Sequence, residues 1–171
     1  MSAFDWLDAS NPVTWWWSGM TAVSLFNLGA WLVTRRRVLA LPDVSPERRR
    51  MLLLAGIYVF ICAFRAVLPR ADVQRICLFD TWFSTVLVGR SVATVAELAF
   101  MMQWALLLRT VGANVGSSFA VRAGRIVVPA IVFAECCSWY AVITTNYVGN
   151  TFEESTWLVS WVLALPWSAR S

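Results

Sequence analysis

Three ionisable residues stand inside long apolar runs, where charge is expensive. Arg90 and Glu97 fall within VGRSVATVAEL, and Glu135 lies in IVVPAIVFAECCSWYAVITTNY. A fourth, Arg65, sits near the end of MLLLAGIYVFICAFRAVL. On a helix, residues seven apart are offset by only about 20°, so Arg90, Thr94, Glu97 and Met101 make one stripe, with Arg90 and Glu97 about 10.5 Å apart along the axis. Facing lipid, each charge would cost about 2.5–3.5 kcal/mol. The stripe is therefore expected to face other helices or a water-filled space. Two kinds of chemistry suit it. In the first, Arg65 and Arg90 balance Glu97 and Glu135 in a closed network that fixes helix packing, with Arg90–Glu135 the preferred pair between helices. In the second, Glu97 or Glu135 carries a proton or ion and Arg90 tunes its ionisation.

Other residues are weighed in the same way. Ser84, Ser91 and Thr94 add a polar stripe to the helix that holds Arg90, which marks that helix as central. Arg70, Asp72, Arg75 and Asp80 cluster in the short segment RADVQRICLFD. They suit an outer-surface site for an anionic headgroup or solute, or a solvated connection whose charges pair among themselves. Cys62, Cys77, Cys136 and Cys137 show no CxxC spacing. Glu135, Cys136 and Cys137 lack a fourth ligand, so no metal is expected. The chain has no histidine, which excludes His-ligated haem, the usual zinc sites and a Ser-His-Asp triad within it. No nucleophile with a paired base is visible, and neither enzymatic activity nor a cofactor is expected.

The elements that hold these residues read as membrane helices. Of 171 residues, 59% are hydrophobic and 14% charged, and the mean hydropathy is +0.64. A soluble domain carries about 25% charged residues. Apolar runs and caps mark helices near 12–34, 47–68, 81–108, 126–147 and 152–167. Asn11-Pro12 and Ser45-Pro46 read as helix starts, and Thr151-Phe152-Glu153-Glu154 as a capping box. The apolar part of the fifth helix, Trp157 to Trp167, is short, about 16 Å. It either half-enters the membrane or belongs to a chain that continues beyond Ser171. The loops 35–46 and 109–125 are read as cytoplasmic. The segment 35–50 holds six arginines and 109–125 three, and with Arg170 this side has ten against two on the other, Arg70 and Arg75. Such a bias places the N-terminus outside. The N-terminal tail carries Asp5 and Asp8 and lacks the basic region of a cleaved signal peptide. Trp15, Trp16 and Trp17 read as an interfacial anchor.

Tryptophan content and helix count resemble the tryptophan-rich sensory/translocator family. Its W-x-P-P-type motif after the first helix has no counterpart in RRRVLALPDVSPERRR, so no ligand is carried over. Glu153-Glu154 is similar to the start of the E-E-x-x-x-R motif of membrane CAAX-type proteases, but Leu158 stands at the arginine position. The expectation is an all-α, multi-pass membrane protein with four full transmembrane helices and a shorter fifth. Its partners are the lipid bilayer and a second copy or partner membrane subunit, with no role for nucleic acid. The first reading of its function is a non-enzymatic bundle or complex subunit held by the Arg/Glu network; the alternative is a proton- or ion-coupled transporter or channel.

Overall fold

The computed structural model describes residues 10–71, 76–77, 79 and 81–168, with main chain alone at 70–71, 76–77 and 163–168. Five helices carry the fold: α1 (Pro12–Leu39), α2 (Pro46–Val67), α3 (Val86–Asn114), α4 (Ser118–Thr144) and α5 (Val148–Ser168). After α2, two residue pairs bridge antiparallel, Arg70 with Cys77 and Ala71 with Ile76. A single 3-10 turn, Trp82–Ser84, leads into α3. Contacts divide the chain into two compact units, Met1–Ala96 and Glu97–Ser171, with the boundary inside α3.

Among the described residues three helices, α2, α3 and α4, are long and apolar enough to cross a membrane, rather than the four expected from the sequence. α1 has the length, but its tryptophans, its serines and Asn27 dilute its hydropathy. In α5 Glu153 and Glu154 do the same. Only 17% of the α2 span and 33% of those of α3 and α4 are buried by protein. Helices apolar on nearly every face and covered on so few need lipid around them.

Local chemistry sets the helix ends. Asn11 Oδ1 accepts a hydrogen bond from the Val13 N–H at 3.0 Å, and Pro12 occupies the first helical position, where its missing N–H is harmless. Ser45 caps α2 in the same way, accepting from Arg48 N–H at 3.3 Å. α1 continues through Arg35–Arg37 to Leu39, five residues beyond the expected Thr34. Arginine is a good helix former and a cation suits the last turn, so the charge run is no reason to stop. The helix stops short of Pro42, and the link to α2 shrinks to 40–45.

The larger difference lies at 109–125, expected as a loop. α3 runs to Asn114 and α4 starts at Ser118, leaving three residues between them. Gly116, at φ 70°, closes α3: its N–H donates to Ala113 O and the Ser117 N–H donates to Gly112 O at 2.8 Å. This is a Schellman cap, which needs a left-handed residue where glycine stands. Ser117 then caps α4 through Ala120 N–H. Gly124, read as a loop residue, is a close-packing position. A Cβ there would meet Ala105 O and Arg109 Cγ at 2.8 Å, so α4 lies directly against α3.

α5 also starts early. Asn146 Oδ1 accepts from Val148 N–H at 3.0 Å and is the cap in use. Thr151 lies within the helix, its hydroxyl donating to Tyr147 O at 3.4 Å, so the T-x-x-E box is not the start. Gly149 falls between the expected helices 126–147 and 152–167, yet it is where α5 touches the α4 backbone. α5 is therefore 21 residues long.

Within the first unit, α1 and α2 pack antiparallel. Trp17 Nε1 donates to Val67 O at 3.1 Å and Trp31 Nε1 to Leu52 O at 3.0 Å, two clips at opposite ends of the pair. Gly56 leaves the room that the Trp31 ring occupies. Of the tryptophan triplet, Trp15 and Trp16 are exposed. Within the second unit the core is Met101, Ala105, Val127 and Ile131, with Trp104 and Trp157 against it.

Candidate functional site

Three helices of the second unit each bury one narrow face, and each face carries one glutamate. On α3 the face runs Glu97, Met101, Ala105, Leu108. On α4 it runs Val127, Ile131, Glu135, Ser138, all buried. On α5 it runs Gly149, Glu153, Trp157, Ser160. All these steps are three or four residues, the spacing of one helix face. Glu135 is 3% exposed and Glu153 9%, while Glu97 is half-buried. One carboxylate oxygen from each of Glu97, Glu135 and Glu153 lies within 4.8 Å of the others.

Antiparallel connections make the surroundings of this cluster regular. One turn from each glutamate, in the same direction, stand Met101, Ile131 and Trp157, which belong to one apolar cluster. Beyond them Phe100, Trp104 and Trp161 meet edge to face or tilted, with ring centroids 5.3–6.4 Å apart. The carboxylates thus lie against an apolar floor on that side. Ser138, buried one turn along α4 in the other direction, continues the polar face.

Three carboxylates so close repel one another when ionised. At an effective dielectric of 20, two unit charges about 4.8 Å apart repel by on the order of 3 kcal/mol, and three carboxylates make three such pairs. The cluster's three oxygens are hard donors of the kind that suit a proton or a cation.

The residues singled out from sequence fall in different places. Arg90 and Thr94 are half-buried on α3, on the stripe that continues to Glu97 and the buried Met101. Arg65 is exposed on α2 and lines a groove between α1 and α2. Ser84 is buried in the 3-10 turn, where its hydroxyl and that of Thr81 are 3.0 Å apart. Ser91 is exposed and its hydroxyl donates to Leu87 O. Both contacts are with residues three or four positions away on the same segment. Asp72, Arg75 and Asp80 lie outside the described residues, and Arg70 is described as main chain alone. Cys136 is exposed and Cys137 half-buried, both free thiols, as is Cys62. Glu153 is the member that sequence reasoning missed, because its segment was read only as a capping box, in which Glu154 is the acid. Its signal was the spacing Glu153, Trp157, Ser160, which makes a face once the helix is started at Asn146.

No protein-family model, curated protein or solved structure matches this chain, so the arrangement of its own side chains is what speaks to its function.

Proposed function

We propose that this chain is a multi-pass membrane protein that moves protons or a cation, with Glu97, Glu135 and Glu153 as the binding site. The observation that carries the reading is the gathering of three carboxylates from three helices within 4.8 Å, two of them buried. Three carboxylate oxygens from three helices suit a shared proton or a cation, and ionisable groups inside membrane segments are typical of transport paths. The apolar layer of Met101, Ile131 and Trp157 blocks free passage on one side, so release there requires movement. α1 packs beside the α2 span: Trp15 and Trp16 suit one interface and Arg35–Arg37 the other, and exposed Val23, Leu25, Phe26, Leu32 and Val33 lie between. The arginine bias sets the N-terminus outside. No enzymatic role is proposed.

A specific observation favours a second reading, a bundle or complex subunit held by charge. Arg90 is half-buried two turns from Glu97 on the same helix, where it suits a packing network. Proton flux into proteoliposomes separates the two. Transport requires flux in the wild type and its loss in Glu97→Gln and Glu153→Gln proteins that fold normally. A packing role gives no flux in any of them and lowered stability in the variants.

A further inference from the structure

A groove of about 540 Å³ runs between α1 and α2 in the first unit. Its volume falls in the range of small-ligand sites, about 300–1,000 Å³. Met20 and Val23 of α1 and Val59 of α2 give it apolar walls, Trp16 stands at one end, and Ser24 and Asn27 lie toward the other. Trp16 to Asn27 is about 16 Å along the helix, close to the hydrocarbon depth of a single leaflet, about 15 Å. Arg65 lines the same groove, two residues before the end of α2 at Val67. Exposed Trp15 and Trp16 mark that end as the interface. An arginine so placed extends its guanidinium to the phosphate level while its stem stays on apolar surface.

We infer that this groove holds one anionic phospholipid of the phosphatidylglycerol type, with its phosphate on Arg65 and an acyl chain along Met20, Val23 and Val59. Charge complementarity selects the headgroup. The one-leaflet length selects a lipid over a small soluble anion, which has no use for the apolar part. The inference rests on the membrane reading and not on the carboxylate site.

The test uses the full chain in phosphatidylcholine vesicles, with trace phosphatidylglycerol or phosphatidylcholine carrying a photoactivatable diazirine on the acyl chain. Crosslinks are mapped by peptide mass spectrometry. Adducts at Met20, Val23 and Val59 are expected about five-fold more often from phosphatidylglycerol, the ratio that one surface arginine–anion contact supports. Arg65→Gln should bring the ratio to about one, and Arg65→Lys should retain most of the preference. Val59→Trp, which fills the groove, should remove these adducts while leaving those on lipid-facing Phe133 of α4. Equal labelling by the two lipids, or a preference indifferent to Arg65→Gln in folded protein, overturns the inference. So does labelling of Phe133 with none in the groove, the result if a second copy covers it. No acyl adducts on any helix would overturn the membrane reading as well.

Discussion

Gly149→Ala asks the most of the packing that builds the carboxylate site. A Cβ at Gly149 would stand 2.5 Å from Cys137 O, 2.9 Å from Ala141 Cβ and 3.1 Å from Ala141 N. Two of these are backbone atoms of a helix and cannot turn aside. An ordinary contact is about 3.5 Å, so α5 must retreat from α4 by about 1 Å. Such overpacking costs about 1–3 kcal/mol. Gly149 is one residue into α5, where the gain in helix propensity on adding a methyl is smaller than its interior value of about 1 kcal/mol. The net expectation is a loss of about 1–2 kcal/mol. Glu153 is one turn from Gly149 and Glu135 two residues from Cys137, so the same shift separates two members of the cluster. Gly29→Ala is the control: nothing lies within 4 Å of its Cβ, and it should stabilise by about 0.5–1 kcal/mol. Equilibrium unfolding in mixed detergent micelles reads both. If Gly149→Ala is as stable as wild type while Gly29→Ala behaves as stated, the close approach of α4 and α5 is wrong.

Further perturbations test other joints. Asn146→Ala removes the cap that starts α5 and should cost about 1 kcal/mol in the same unfolding assay, whereas Thr151→Ala should cost less than half of that. Trp31→Phe loses the hydrogen bond to Leu52 O and part of the indole that packs at Gly56; a destabilisation of at least about 1 kcal/mol is expected by thermal unfolding. Gly116→Ala places a Cβ at φ 70° and should cost about 1–2 kcal/mol, seen as a lower unfolding midpoint. Glu153→Gln removes one of the three crowded carboxylates and should leave the fold at least as stable as wild type near neutral pH. A loss of several kcal/mol in that variant would mean that the Glu153 carboxylate holds the packing together more than its crowding opposes it.

Much of the fold was legible in the sequence because apolar runs, Asn11-Pro12 and Ser45-Pro46 have local meanings. The misread places are those where one residue type serves two purposes. Gly112 and Gly124 look like loop residues, but α3 and α4 use them for close approach. Gly149 falls between the expected helices 126–147 and 152–167, but α5 uses it to touch α4. Arg35–Arg37 looks like a stop, but it suits a helical last turn. At the site, Glu97 and Glu135 stood out because an apolar run makes a charge conspicuous. Glu153 did not, because it sits beside Glu154 near a helix start, where acids are ordinary. Only the pairing of α5 with α4 shows that Glu153 turns inward and Glu154 outward. Arg65 was conspicuous for the same reason as Glu97, yet it lines a groove in the other unit. Linear sequence shows that a charge is costly, whereas the helix partners decide what it meets.

The central claim is that the three glutamates act as one site holding a proton or cation. Infrared difference spectroscopy of the reconstituted protein reads it directly through the C=O stretch of a protonated carboxyl and the shifts of carboxylate bands on adding sodium or potassium. The account predicts either a protonated-carboxyl band near neutral pH that is lost in Glu97→Gln, Glu135→Gln and Glu153→Gln alike, or a cation-induced carboxylate shift lost in the same three variants. Three ordinary ionised carboxylates, with no protonated band and no response to cation in the folded wild type, would contradict it.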